Sequence, residues 1–307
     1  PLDVEMLVVD EISMLDTVLA FYLFGAIRPG TTVVLVGDEF QLPSVGAGNV
    51  LADLIQSDLV PVTRLTQIHR QAEGSMIVRA AHAVHNGKLP ESDDRGDFRF
   101  VAATADDAER IVLDLVCRTI PGQFNIRSSE IQVVAPMYKG SAGIDALNLA
   151  LQATLNPPSP LKAERKIFER VFRVGDRVLQ IKNNYDLQVV NGDLGIVNHL
   201  DPKLNVVVVR FADRDVQYSW TDAAAQLVHA FAMSVHKSQG SEFRAVVIPL
   251  LTQHYMMLQR NLLYTAITRA RELCILVGDP KALGMAVRND KIRRRWTALD
   301  LRLVKYG

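Results

Sequence analysis

Cysteine is nearly absent from this chain of 307 residues, which has only Cys117 and Cys274, both inside apolar runs and without Cys-x-x-Cys or histidine at ligand spacing. That argues against a disulfide framework and a structural zinc, and leaves the two as buried thiols of a reducing cytoplasm. No uninterrupted apolar run reaches the roughly 18 residues of a membrane span, and no signal-peptide pattern opens the chain. Membrane insertion is not expected. There is no net charge either, since Lys plus Arg and Asp plus Glu stand at 34 each, so any nucleic-acid contact must be a local groove rather than a global basic field. Also missing is Gly-x-x-x-x-Gly-Lys-Ser/Thr, the loop that cradles nucleotide phosphates. Gly87-Lys88 and Lys139-Gly140 come near it without the second glycine at the right offset. The chain opens on Pro1 shortly before an apolar strand, and we read it as the C-terminal part of a longer protein.

What is present is apolar mass: 49% of the residues are hydrophobic, enough at this length for two or more cores. Residues 6–9 and 32–36 are short β-branched runs, each ending in an acidic pair, the pattern of parallel strands buried on both faces. Residues 15–26 between them read as the crossover helix of a β-α-β unit. Asp10-Glu11 and Asp38-Glu39 then fall at the carboxyl edge of one sheet, where open α/β sheets take ligands. A second alternation is predicted from strands at 62–65, 98–102 and 131–135 and helices at 75–86, 105–119 and 144–155. Asn156-Pro157-Pro158-Ser159-Pro160 reads as a linker. Strand-like runs at 176–182, 194–200, 204–211 and 215–220, with Asn191-Gly192 as a tight-turn signal, predict a small β-barrel inserted into the second α/β domain. The alternation resumes with a strand at 230–233, a helix opening at Ser234, a strand at 245–249, a helix over 260–271 and a strand at 273–277. Lys291-Ile292-Arg293-Arg294-Arg295 reads as a solvated helix end rather than a nucleic-acid contact.

Chemistry gathers at the strand ends. In Val8-Val9-Asp10-Glu11-Ile12-Ser13, Asp10 is suited to hold Mg²⁺, mostly through water, Glu11 to orient and deprotonate an attacking water, and Ser13 to add a hydrogen bond to the metal's shell. An acidic pair there also serves as a plain helix cap, so the neighbours decide. Gln41, in Gly37-Asp38-Glu39-Phe40-Gln41-Leu42-Pro43, follows the next strand, where a glutamine can sense a γ-phosphate while Pro43 and Ser44 face a nucleic-acid strand. Arg70, in Gln67-Ile68-His69-Arg70-Gln71, lies just past the strand expected at 62–65. Arg269 lies four residues beyond Thr265 on one face of the helix expected over 260–271. Two arginines closing on a γ-phosphate from a second domain stabilise transition-state charge and tie domain closure to nucleotide; either alone is also readable as a surface ion pair.

Ser234-Val235-His236-Lys237-Ser238-Gln239-Gly240-Ser241-Glu242 follows a strand with hydroxyls, a lysine and free N–H groups, which suits a nucleic-acid phosphate. Ser234, His236, Lys237 and Ser238 are the candidates, with Glu242 accepting from a nucleotide ribose. Lys139 and Gly140, in Pro136-Met137-Tyr138-Lys139-Gly140, repeat the combination at another strand end. A single-strand channel made of amides, hydroxyls and a few lysines needs no overall positive charge.

Five of these motifs in this order, from Val9-Asp10-Glu11 to Tyr264-Thr265-Ala266-Ile267-Thr268-Arg269-Ala270, resemble motifs II through VI of the superfamily 1 helicases. The nearest resemblance is to the RecD-like DNA helicases of the exodeoxyribonuclease V alpha-subunit type. It implies an α/β fold of two RecA-like parallel-sheet domains, the first incomplete at its N-terminus, with an SH3-like β-barrel inserted in the second. The expected segments are 1–64, 65–160, 161–225 for the barrel and 226–307. It further implies ATP and Mg²⁺ as cofactors, with Asp10, Glu11, Gln41, Arg70, Gly240, Glu242 and Arg269 around the nucleotide. Single-stranded DNA and duplex with a 5′ overhang are the implied substrates, with 5′ to 3′ movement, acting alone or with the subunits of a recombination nuclease complex. Without the phosphate-cradling loop, the piece is expected to hydrolyse ATP very little. Two other readings stand beside this one: a non-catalytic DNA-binding or scaffolding module that keeps the fold, and a related motor such as a relaxase-helicase or an RNA helicase.

Overall fold

The computed structural model describes residues 1–65, 74–290 and 297–306. In the first lobe, β1 (Met6–Val9) and β2 (Thr32–Leu35) pair in parallel, with Met6 opposite Thr32. They are joined by a 3-10 turn at Ile12–Met14 and by α1 (Thr17–Ala26), whose first turn is capped by Asp16 accepting from Leu19 N–H at 2.8 Å. With α2 (Val50–Gln56), these elements close a small core of Ile12, Leu15, Ala20, Val50 and Leu51. The strands are not buried on both faces as expected: Met6 and Val8 are 60% and 58% exposed, because the two-stranded sheet has side chains packed on one face only.

The run at 62–65 forms no strand, and no described strand pairs with it. The second lobe instead begins with α3 (Met76–His85), β3 (Phe98–Ala102), and α4 (Ala108–Asp114) continuing through a π turn into α5 (Ile120–Phe124). β4 (Ile131–Ala135) and α6 (Ile144–Leu155) follow, as predicted. A barrel-like insertion comes next, built from β5 (Glu164–Ile167), β6 (Arg170–Arg173), β7 (Arg177–Gln180), β8 (Leu194–Asp201), β9 (Val206–Phe211), β10 (Arg214–Ser219), α7 (Trp220–Gln226) and β11 (Leu227–His229). Its antiparallel order is β10-β9-β8-β7-β11, with β5-β6 as a separate hairpin. The hairpin and β11 lie outside the four predicted runs, the hairpin because Glu164, Arg165 and Lys166 are polar and exposed and give no strand alternation.

The chain then returns to the parallel sheet with β12 (Ala232–Ser234), β13 (Phe243–Leu250), α8 (Arg260–Ile267), β14 (Ala270–Gly278) and α9 (Pro280–Arg288). The order β12-β4-β13-β14-β3 is parallel throughout. β4 is buried along its whole length, which is why it reads as an uninterrupted apolar run. The helix expected from Ser234 is one 3-10 turn, Val235–Ser238, stopped by the extended Gln239 and by Gly240 at φ 73°. α10 (Leu299–Tyr306) packs back on α2, with Leu299 against the first-lobe core. Cys274 is fully buried and Cys117 half-buried; desolvation raises both thiols.

Two buried polar devices hold the second lobe together. Asp176, fully buried beside the insertion, accepts from Gln152 Nε2 at 2.6 Å, Asn156 Nδ2 at 2.7 Å and Arg173 N–H at 2.7 Å. Next to it, Arg177 donates to Ile131 O at 2.9 Å and Gln132 Oε1 at 2.7 Å; burial lowers its pKa to about 10, leaving it charged at neutral pH. The second device is His254, fully buried beyond β13, whose Nδ1 accepts from Leu251 N–H at 3.2 Å. Burial pushes its pKa down to about 4.

Asp176→Ala removes the buried acceptor shared by three donors and is expected to cost roughly 3 kcal/mol of stability; a loss below about 1 kcal/mol in chemical denaturation would remove Asp176 from that role. His254 is neutral in the fold, so its contribution is complete above the ordinary histidine pKa of 6.5 and is lost as pH falls from there toward about 4. Over that window the wild type is expected to lose roughly 3 kcal/mol more than His254→Gln. Parallel pH–stability curves for the two proteins would contradict it.

Candidate functional site

The main chain beyond β2 continues alongside β1: Val36 N–H donates to Val9 O at 2.8 Å and Ile12 N–H to Val36 O at 3.0 Å. Gly37 permits this approach, because a Cβ there would lie 2.7 Å from Ile12 Cγ2 and 3.2 Å from Ser13 N. Asp10 is exposed, and its Oδ1 accepts from Glu11 N–H at 2.7 Å. Glu11 sits at φ 52°, a left-handed conformation that costs energy in a residue with a Cβ. Ser13, just beneath, is 5% exposed, and its Oγ has no hydrogen-bond partner among the described residues.

The loop after Gly37 is fastened to the second lobe. Asp38 Oδ1 accepts from Phe40 N–H at 2.9 Å, and Asp38 Oδ2 accepts from the Tyr264 hydroxyl at 2.9 Å. Gln41 Nε2 lies 3.4 Å from Asp38 Oδ2, while Gln41 Oε1 is buried with no partner among the described residues. Leu42 crosses the boundary completely. Its N–H donates to Thr265 Oγ1 at 2.8 Å, its carbonyl accepts from Gln239 Nε2 at 2.8 Å, and its side chain joins the core cluster of Ile77, Val235 and Leu263. The Phe40 ring lies 3.7 Å from that of His85, centroid to centroid, with Tyr264 edge-on to both. Burial, followed by the neighbouring His82, holds the His85 imidazole below its usual pKa.

Arg269 does not sit on α8. The helix ends at Ile267, so Arg269 forms the bend into β14 and is 2% exposed rather than projecting into a cleft. Its Nε donates to Thr265 O at 3.1 Å and its guanidinium also to Ser241 O and Thr268 Oγ1, each at 3.3 Å. Thr265 therefore touches the Gln41 loop with its hydroxyl and Arg269 with its carbonyl. Arg70, with Gln67, His69 and Gln71, and the basic cluster 291–295 lie outside the described residues.

Among the described residues no three His, Cys, Asp or Glu side chains gather as a metal cage. The donor set still fits magnesium, an ion commonly held by one or two carboxylates together with waters and substrate phosphates. Asp10 provides an exposed carboxylate, and the unpaired Ser13 Oγ and Gln41 Oε1 are buried polar atoms that incoming water or phosphate would satisfy.

The nucleic-acid candidates divide. Ser44 is 4% exposed with Oγ 3.4 Å from Gly46 O, Ser238 is fully buried with Oγ donating to Val235 O, and Ser234 Oγ accepts from Lys237 N–H at 3.3 Å. These hydroxyls hold their own turns. Lys139 and Gly140 are exposed, the latter at φ 107°; Pro43, His236 and Lys237 are half-buried, Gly240 and Glu242 exposed. Lys237 Nζ reaches the barrel and donates to Asn191 Oδ1 at 2.6 Å; partial desolvation lowers its pKa and that of His236. The linking roles of Thr265, Tyr264, Gln239 and His85 were not read from the sequence. The available signal was a polar Tyr264-Thr265 pair set between the apolar Leu262-Leu263 and Ala266-Ile267.

Three family models match the chain: an AAA domain over residues 2–103, the SH3 domain of ATP-dependent RecD-like DNA helicases over 147–211, and a UvrD-like helicase C-terminal domain over 229–277. The ATP-dependent RecD2 DNA helicase of Deinococcus radiodurans is 36% identical over 98% of this chain and 40% of its own length. The RecBCD enzyme subunit RecD of Mycolicibacterium smegmatis is 30% identical over 99% of this chain and 55% of its own length. The chain thus spans 40% to 55% of these curated relatives. The fold is similar to that of the Pif1 helicase from Bacteroides solved with ADP-AlF3 and ssDNA, with a TM-score of 0.55 and 20% identity over 98% of this chain and 75% of that one. With the motifs in order, an SH3-like insertion in the parallel-sheet lobe and these relatives along nearly its whole length, the chain belongs to the RecD-like helicases of superfamily 1.

Proposed function

We propose that this chain is the C-terminal motor portion of an ATP-dependent DNA helicase that moves 5′ to 3′ on single-stranded DNA. In this reading it opens duplexes entered from a 5′ overhang, in the cytoplasm, during recombination and repair, alone or with the subunits of a nuclease complex. Segments 1–64, 65–160, 161–225 and 226–307 serve as the end of the first motor domain, the two parts of the second, and the barrel between them. The observation that carries the proposal is the crossing at Leu42, where the Gln41 loop of one lobe is bonded to Thr265, whose carbonyl in turn holds Arg269. A passive DNA-binding module has no use for such a connection, nor for the unpaired polar atoms of Ser13 and Gln41.

Asp10 would hold the magnesium that accompanies ATP, Glu11 would take the proton of the attacking water, and Ser13 Oγ and Gln41 Oε1 would gain partners from water and phosphate. When bound, the ion neutralises charge that builds on the phosphoryl oxygens. Gly240 and Glu242 stand at the nucleotide's ribose side. Arg269, with Arg70, stabilises the transition state after exchanging its neutral Ser241 and Thr265 carbonyl acceptors for anionic phosphate oxygens. Loss of the Arg269 bond loosens Thr265, whose hydroxyl holds the Leu42 N–H, so occupancy of the nucleotide site and the spacing of the lobes change together. Lys139 and Lys237 lie on neighbouring loops of the second lobe and supply cations to DNA phosphates, His236 offers a neutral ring N–H beside Lys237, and Pro43 faces the same strand from the first lobe.

The test is single-strand-stimulated ATP hydrolysis by the full-length protein. Arg269→Lys, which keeps the charge and loses the planar fork, is expected to cut turnover at least about a hundredfold in a protein that is still folded, as circular dichroism would show. Turnover within about threefold of wild type would take Arg269 out of the reaction. Lys237→Ala is expected to weaken single-strand binding and lower the slope of log affinity against log salt by about 0.7. An unaltered slope makes Lys237 a spectator.

A further inference from the structure

The carboxyl ends of three adjacent parallel strands, β12, β4 and β13, lie along one edge of the second-lobe sheet. The loops after β4 and β13 touch there. Gln253 Nε2 donates to Ser141 Oγ at 3.4 Å and lies 3.1 Å from where a Gly140 Cβ would stand, while Leu251, Ala142 and Ala108 form a small buried cluster. Both loops are pinned by main-chain bonds. Gly143 N–H donates to Gly140 O at 3.0 Å, Ile144 N–H to Met137 O at 3.0 Å and Asp145 N–H to Tyr138 O at 3.1 Å. No side chain fits at Gly143, whose Cβ would lie 2.5 Å from Tyr138 O. The other loop is held by the buried His254 and by Gln259 N–H on Met257 O at 2.9 Å.

From these fixed loops three large side chains face solvent: Tyr138 at 53% exposure, Tyr255 at 62% and Met256 at 64%. Lys139 is the one charged residue between 136 and 143, and 251–259 contains none. Ser141 Oγ also donates to Ala105 O at 2.8 Å, which brings up the loop carrying Asp107 and the exposed Asp106, the former engaged by Thr104 and Arg110. An aromatic surface on rigid loops beside an exposed lysine suits a ligand with flat apolar faces and a phosphate backbone.

We infer that Tyr138 and Tyr255 are stacking platforms for the bases of a single DNA strand, with Met256 completing the apolar surface and Lys139 on the adjoining phosphate. This rests on the single-strand reading of the preceding subsection and adds the mode of grip. Phosphate contacts alone do not separate single strand from duplex, whereas base faces are available only where the duplex is open. Stacking is also indifferent to sequence, because every base has a π-face. The loops are ordered before binding, so little conformational entropy is lost when a base docks.

The experiment compares binding of the protein to an oligothymidylate of about 16 nucleotides and to an abasic oligonucleotide with the same number of phosphates. The wild type is expected to prefer the oligothymidylate by about tenfold or more, and Tyr138→Ala/Tyr255→Ala to reduce that preference to within about twofold at an unchanged salt slope. The Tyr138→Phe/Tyr255→Phe pair keeps the preference. A wild type that binds both oligonucleotides equally, or an alanine pair that retains the preference, overturns the stacking site and leaves the single-strand reading intact. A wild type that binds neither overturns that reading and the stacking with it.

Discussion

The main chain of one leucine joins the two lobes. Leu42 has its N–H satisfied by Thr265, its carbonyl by Gln239 and its side chain by the second-lobe core, although it belongs to the loop that ends the first lobe's sheet. A buried backbone group left without its partner costs as much as a lost hydrogen bond, so this loop cannot shift by an ångström without losing both bonds together. Everything proposed about the site follows from that constraint. Gln41 precedes Leu42, Asp38 is tied to Tyr264, and Arg269 hangs from the carbonyl of the residue whose hydroxyl holds Leu42.

Much of the fold was legible because most of its parallel sheet is buried. β4, β13 and β14 are lined by Val, Ile and Leu with almost no polar interruption, and such runs name themselves. The barrel was legible for the opposite reason, since β8, β9 and β10 alternate buried with exposed positions around turn residues. What could not be read was decided by neighbours far along the chain. Residues 62–65 have the composition of a strand and no partner edge, and 164–167 have the composition of a loop and pair with 170–173 nonetheless. Helix ends were also misjudged: 268–271 continues the helical composition of α8, but Ala270 is claimed by β14.

The candidate site was legible as residue types and not as orientations. Asp10, Glu11 and Gln41 occupy the strand-end positions that their spacing predicts, whereas Arg269 turned out to be buried and Ser44, Ser234 and Ser238 to be spent on their own turns. A hydroxyl near a tight turn has a local acceptor within reach, and sequence gives no account of which acceptor wins. The links across the lobes, Leu42 to Thr265 and Phe40 to His85, span over two hundred residues in one case and forty-five in the other, beyond what any local pattern encodes.

The return of α10 to the first lobe has a kinematic consequence. Leu299, from the last described helix of the chain, lies against the core of Ile12 and Val50 near its start. Release of the Leu42 bonds therefore does not free the lobes from one another, because α10 stays seated on α2 with Leu299 against the first-lobe core.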